Sequence, residues 1–177
     1  VSVEYCMVFW CADYLENAAG LPKAAAAQAV SLFLAGVIAG RVTGSRLLRR
    51  FNPVQILSVS ILAAAAGFLM YWSALTVWLA VLGLFVTGLG VANQYPMIFS
   101  QALGAAGGRT VQAGTRAVLG SGIAILTLPL FLGRLADALG IRLAYGVIAV
   151  LLAAAFTLVH LTERSARMTV RAGSDPN

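Results

Sequence analysis

Charge is what this chain has least of. Only 10% of its 177 residues are Asp, Glu, Lys or Arg, 60% are hydrophobic, and mean hydropathy is +0.90. A water-soluble globule is roughly half apolar and about a quarter charged, so a soluble fold is excluded and the lipid bilayer is the expected solvent. Cysteine is scarce too. Cys6 and Cys11 lie five apart in one apolar run, so they point to different helix faces, which excludes a local disulfide or metal pair and leaves packing as their role. With His160 as the single histidine there is no Cys/His cluster, and neither His-Glu-x-x-His nor a Walker loop occurs. No metal, cofactor or catalytic residue is expected. Lysine is rarer still, with Lys23 alone beside eleven arginines. That bias, with many Ala and Gly, hints at a GC-rich bacterial genome. The net charge of +6 would suggest nucleic acid in a soluble protein, but the arginines fall between apolar runs, where membrane topology puts them, so no nucleic acid partner is expected. Val1 already lies in an apolar stretch without a charged region or a small-residue cleavage site before it. That is not a signal peptide, and the chain is expected to lack its beginning.

What is present is apolar length. A spanning helix needs about 20 mainly apolar residues at ~1.5 Å each, and six runs meet or approach that: 1–17, 24–48, 54–72, 77–103, 113–132 and 143–161. Gly, Pro and Asn punctuate the segments between them. The expected fold is therefore all-α, a six-helix transmembrane bundle over 1–161 with a polar tail at 162–177. Arg41, Arg46, Arg49, Arg50, Arg109, Arg116, Arg164, Arg167 and Arg171 collect on one side, and only Lys23, Arg134 and Arg142 on the other. Nine against three puts the first side, the tail and both chain ends in the cytoplasm. The third and sixth runs are nearly free of polar groups and suit a lipid-facing position. The first, second, fourth and fifth carry the polar residues and are expected to face each other or a cavity.

Three stretches resemble a known family. Gly36-Val-Ile-Ala-Gly40-Arg-Val-Thr-Gly44-Ser-Arg-Leu-Leu-Arg-Arg50 has glycines every fourth residue on one face, which permits close helix approach, and ends in a basic turn. It is similar to the second copy of the loop signature Gly-x-x-x-Asp-Arg-x-Gly-Arg-Arg of the major facilitator superfamily, with Gly44 where the signature has Asp. Gly133-Arg-Leu-Ala-Asp137-Ala-Leu-Gly140-Ile-Arg142 resembles the turn between that superfamily's last two helices. Gly88-Leu-Gly-Val-Ala-Asn-Gln-Tyr-Pro-Met-Ile-Phe-Ser100 resembles the tenth helix of fucose-permease-like members. The resemblance implies half of a twelve-helix transporter, its seventh to twelfth helices, with a missing N-terminal six-helix half as partner. It gives Gly40, Arg41, Gly44, Arg46 and Asp137 as gate or loop-signature positions; Gly44 cannot take the charge role of the signature Asp.

Ionisable groups at membrane depth are functional candidates by default. Glu4 lies thirteen residues before Asn17, roughly 20 Å below the outer boundary by helix rise, where an isolated carboxylate costs about 3 kcal/mol unless protonated, paired or solvated. It is the candidate for proton coupling or substrate binding. The competing reading is a simple pair with a cytoplasmic arginine. Asn93, Gln94 and Tyr95 precede Pro96, whose missing N–H and ring clash disturb the helix near Ala92. Asn93 sits at a depth close to that of Glu4, so the two are expected to line one cavity, unless Asn93 serves as interhelical glue. Gln28, Ser31 and Ser121, with Gln112 and Thr127, are secondary cavity candidates. Asp13 and Glu16 suit a solvated outer helix end. Arg41 and Arg46 suit either an inner gate or snorkelling, and His160 an interfacial place.

The expected activity is transport of a small solute by alternating access, proton-coupled, in a cell inner membrane. An intramembrane serine protease is disfavoured, because Leu119-Gly-Ser-Gly122 lacks the first glycine of Gly-x-Ser-Gly and His160 lies too near the boundary to reach Ser121. A non-transporting membrane subunit or an oligomeric channel is the alternative.

Overall fold

The computed structural model describes residues 1–73 and 75–172, with side chains described through 162. Its elements are α1 (Ser2–Asn17), α2 (Lys23–Leu47), α3 (Pro53–Ser73), α4 (Val77–Val91), α5 (Gln94–Gly104), α6 (Thr110–Leu139), α7 (Ile141–Ala144) and α8 (Gly146–Ala172). No strand occurs among the described residues. This is what a bilayer demands, since a helix satisfies its backbone polar groups within one segment.

Among the described residues, five spans are long and apolar enough to cross a membrane: Lys23–Leu47, Pro53–Ser73, Val77–Gly104, Thr110–Leu139 and Ile141–Thr162. With its 16 residues α1 reaches only about 24 Å at ~1.5 Å per residue, short of the ~30 Å hydrocarbon core. The described residues thus carry five full spans and one shorter helix, where the sequence suggests six runs that meet or approach spanning length.

Several boundaries differ from the apolar runs. The fourth run is two helices: Asn93 (φ −104°, ψ −6°) interrupts it, three residues before Pro96, whose ring occupies the space of the carbonyl four residues back. The fifth begins at Thr110 and continues through the Gly133–Leu139 stretch expected as a turn, stopping only at Gly140, where φ is +84° and a side chain would be strained. The sixth is preceded by the single-turn α7 and, instead of ending at 161, runs to Ala172; residues 173–177 of the expected tail lie outside the described residues. Hydropathy marks where lipid is, and helices extend past it into water.

In lipid there is little hydrophobic force between helices, so packing and polar contacts hold the bundle. The centre is the α4–α5 span, whose most apolar stretch is 56% buried against 17% for α6. α2 and α3 clasp α4 from two sides. On the α2 side, a side chain at Gly36 would overlap the Phe85 carbonyl, and one at Gly88 the Phe33 carbonyl. On the α3 side, a Cβ at Gly83 would stand 2.5 Å from the Tyr71 nitrogen. α3 is therefore lipid-facing only on its remaining surface, where Val59, Leu62 and Leu69 are exposed. Cys6 and Cys11 are buried in the packed cluster with their thiols free.

One end of the bundle is laced shut. Tyr14, Tyr71 and Tyr145 are fully buried, with Tyr14 centred 4.8 Å from each of the other two rings. The Tyr71 hydroxyl donates to the Cys11 carbonyl (3.0 Å), the Tyr14 hydroxyl to the Trp72 carbonyl, and Trp72 Nε1 to the Arg142 carbonyl (2.8 Å). These contacts tie α1, α3 and α7 together beside the 18–22, 75–76 and Gly140 turns. At the opposite end, where Arg41, Arg46, Arg49, Arg50, Arg109 and Arg116 lie, the helices part to leave clefts.

Candidate functional site

The largest described cleft, about 380 Å³, opens between α1, α5, α6 and α8 at the arginine-rich end. Its lining includes Ser2, Gln94, Tyr95, Phe99 and Ser121, set among small alanines (Ala102, Ala117, Ala155) that keep it open. A volume of this size is at the lower end of what small-molecule sites use, about 300–1,000 Å³.

The helix break builds this site. By ending α4 at Val91 and restarting at Gln94, the chain turns Gln94 and Tyr95 toward α1 and α6. Gln94 Nε2 donates to the Gly90 carbonyl at 3.2 Å, which occupies one N–H and leaves the second N–H and the amide oxygen by the valence of the group. Tyr95 stacks on Phe99, ring centres 5.7 Å apart and 27° between planes, forming a flat apolar platform beside that amide. Ser121 Oγ donates back to the Ala117 carbonyl at 2.7 Å, so toward the cleft it acts as an acceptor.

Asn93 is not in this cleft. Its Nδ2 donates to the Gly40 carbonyl at 2.6 Å, and its side chain fills the space a Cβ on Gly44 would take. That bond joins α2 to the α4–α5 break, and the same residue also borders two other clefts, one of them beside Arg41. Glu4 does not join it: the carboxylate faces Arg41, Oε1 to Nη2 3.9 Å, with 22% of the glutamate and 63% of the arginine side chain exposed. At that distance it is an ion pair without a short hydrogen bond. Arg41 lines a second cleft of about 270 Å³ with Ser45, Asn93, Ser100 and Gln101, which brings Arg41 and Asn93 near one space and leaves Glu4 at its edge.

The other candidates are dispersed. Gln28, Ser31, Gln112 and Thr127 are exposed, with Thr127 bonded to the Ile123 carbonyl. Asp13 accepts from Asn17 Nδ2 (3.0 Å) within its own helix. Arg46 and Asp137 are exposed. His160 shares a bond with the Phe156 carbonyl (3.0 Å) and packs on the Phe156 ring. Two cleft residues escaped the sequence reading. Phe99 is four residues after Tyr95, so helical spacing alone puts both rings on one face. Ser2 carried no signal, since a serine at the end of an apolar run is ordinary.

A second long-range contact fixes α1 against the wall. Trp10 Nε1 donates to the Pro129 carbonyl at 2.9 Å, and Gly133 leaves room for the indole, since a Cβ there would stand 2.6 Å from Trp10 Cζ2.

Apolar helices of spanning length, glycine-mediated contacts and a cleft opening at one end, apolar with a few polar groups, define a multi-pass α-helical membrane protein. The particular family follows from comparison: the model of the Major Facilitator Superfamily matches residues 5–175, and the chain belongs to that family. A glucose/galactose transporter, found in two strains of Brucella abortus, is 34% identical over 160 residues, covering 82% of this chain and 34% of the relative. An uncharacterized MFS-type transporter of Yersinia pestis is 28% identical over 153 residues, covering 84% of this chain and 39% of the relative. The chain thus spans less than two fifths of the length of these relatives. No solved structure matches it.

Proposed function

We propose that the chain forms one wall of a secondary transporter for a small polyhydroxylated solute of the hexose class, working by alternating access. The observation that carries this reading is the pairing of the Tyr95–Phe99 platform with the Gln94 amide and Ser121 hydroxyl in one cleft. A hexose has an apolar C–H face and a rim of hydroxyls. An aromatic face suits the first, and an amide with one donor and one acceptor to offer suits the second. The Brucella relatives bear a glucose/galactose transporter name, which agrees with that chemistry. In this reading α1 completes the span count to six, the helices are the second half of a twelve-helix fold, and the facing wall comes from polypeptide outside this chain. The arginine-rich end faces the cytoplasm of a cell inner membrane.

Proton coupling is assigned to Glu4. As a carboxylate it holds Arg41; protonation removes that attraction and lets α1 and α2 move independently at the end where the clefts open. The test uses the full-length polypeptide that carries this sequence, reconstituted in liposomes with a panel of labelled hexoses. Gln94→Ala and Tyr95→Ala should each lower uptake of the accepted sugar about tenfold, the cost of roughly one lost hydrogen bond or ring contact in a desolvated site. Glu4→Gln should abolish uptake driven by a pH gradient while sugar exchange continues. Uptake indifferent to Gln94 and Tyr95 would sink the site, and undiminished proton-driven uptake in Glu4→Gln would sink the coupling role.

A further inference from the structure

A third opening, a groove of about 260 Å³, lies on the outside of the bundle between α2 and α3, away from the candidate solute cleft. Thr43, Leu47 and Phe51 recur every fourth residue along one wall, and Gln55, Val59 and Ala63 do the same along the other. Leu89 and Asn93 of the α4–α5 region form its floor. Fourfold spacing keeps Thr43 and Leu47 on one face of α2 and Gln55, Val59 and Ala63 on one face of α3, with Phe51 in the turn between the helices. Eight residues of α3 separate Gln55 from Ala63, so the groove climbs about 12 Å from the interhelical turn into the apolar region. Its lining is mostly hydrocarbon, and the Thr43 hydroxyl is turned back onto its own helix, donating to the Ala39 carbonyl at 2.8 Å. Such a surface asks for an apolar chain, not for a polar solute.

The turn beside the groove is cationic, its arginines neighbouring the lining residues Leu47 and Phe51 in sequence without themselves lining the groove. The turn is tight: the Arg50 nitrogen and the Phe51 nitrogen both donate to the Leu47 carbonyl, at 2.9 and 3.0 Å. Arg49 and Arg50 are therefore held between two residues that line the groove, with Arg46 one turn above, and all three are exposed. None of them has a carboxylate partner among the described residues, where the one ion pair is Arg41 with Glu4. Along the sequence, no Asp or Glu stands between Glu16 and Asp137.

We infer that this groove binds an anionic phospholipid, one acyl chain lying between α2 and α3 and the headgroup phosphate held by Arg46, Arg49 and Arg50. Each basic side chain near an anionic membrane surface is worth about 1 kcal/mol of attraction, and guanidinium suits phosphate by its forked donors. The occupant is a lipid and not a soluble phosphate, because an apolar channel lies beside the cationic turn. The site leans on α4 through Leu89 and Asn93, so an occupied groove would brace the α2–α4 contact beside the helix break.

The experiment is lipid retention by the full-length polypeptide, measured by native mass spectrometry after equilibration with mixed phosphatidylglycerol and phosphatidylcholine. Phosphatidylglycerol should be retained preferentially. In the double variant Arg49→Gln, Arg50→Gln that preference should fall about thirtyfold, two cations at ~1 kcal/mol each with tenfold per ~1.4 kcal/mol. Val59→Trp, which fills the groove and leaves the arginines, should lower retention as well, whereas Arg116→Gln on α6 should not. Excess inorganic phosphate should not displace the lipid. Equal retention of the two lipids, or displacement by phosphate, overturns the proposal. So does a double variant that loses thermal stability equally in lipid-free detergent while Val59→Trp retains lipid normally, since the arginines would then be pairing with an acidic segment of the same polypeptide.

Discussion

A Cβ at Gly40 would stand 2.5 Å from the Leu89 carbonyl oxygen and 2.7 Å from Ala92 Cβ. Neither neighbour is a flexible side chain that swings aside, so room is made only by parting α2 from α4, and the Asn93 hydrogen bond to the Gly40 carbonyl stretches with it. Gly40→Val should therefore destabilise the fold by about 1–3 kcal/mol, the usual cost of overpacking, read as a lowered thermal unfolding temperature in detergent. Gly120→Ala is the control: nothing lies within 4 Å of its position, and alanine is the better helix former, so its unfolding temperature should hold or rise. Equal losses in both variants would show that the glycine stripe is not a contact surface. The stripe Gly36, Gly40, Gly44 was legible in the sequence as a face for close approach. Its partner was not, because helix pairing in space follows from the whole bundle and not from the spacing within one helix. Asn93 illustrates the same limit, since interhelical bonding and cavity lining ask for the same residue type at the same depth, and its bond to the Gly40 carbonyl depends on where α2 lies.

At the scale of elements, apolar length located the helices well and their ends poorly. The window that detects lipid averages over about twenty residues, so it passes over a two-residue interruption such as Ala92–Asn93 and stops before the amphipathic turns Gly133–Leu139, which are helical but polar on one side. Pro96 announced the α4–α5 break by its chemistry, and the break then accounts for the cleft. Had the helix continued unbroken, the residues after Ala92 would stay on the faces that α2 and α3 already cover, and the Gln94 amide would have no cavity to serve. The close clasp around α4 and the break below it divide the span into two roles: the Val77–Val91 half packs, and the Gln94–Gly104 half lines a site. α1 divides similarly. Its outer part carries Cys11, Tyr14 and Leu15 into the core, while its first turn presents Ser2 to the cleft and Glu4 to Arg41.

Across the whole molecule the two ends differ in kind. The end carrying the 18–22, 75–76 and Gly140 turns is closed by tilted, closely packed tyrosines and long-range hydrogen bonds, and the arginine-rich end is where the clefts open. Motion within this unit is therefore expected at the arginine-rich end, with the tyrosine end as the pivot. Which end meets the cytoplasm, and whether the short α1 crosses the bilayer, is open to a direct chemical test, because Cys6 and Cys11 are fully buried and should not react with a bulky, membrane-impermeant maleimide. Three single cysteines then report topology in intact cells: Leu75→Cys at a turn residue that is 78% exposed, Ala105→Cys at the exposed α5–α6 turn, and Ser2→Cys at the start of α1. With the basic turns inside, Leu75→Cys should label from outside while Ala105→Cys labels only after permeabilisation. If α1 spans the membrane, Ser2→Cys should follow Ala105→Cys. Labelling of Ser2→Cys from outside would mean that α1 returns to the side it shares with Leu75, leaving five crossings and removing Glu4 from the arginine-rich end where its coupling role was proposed.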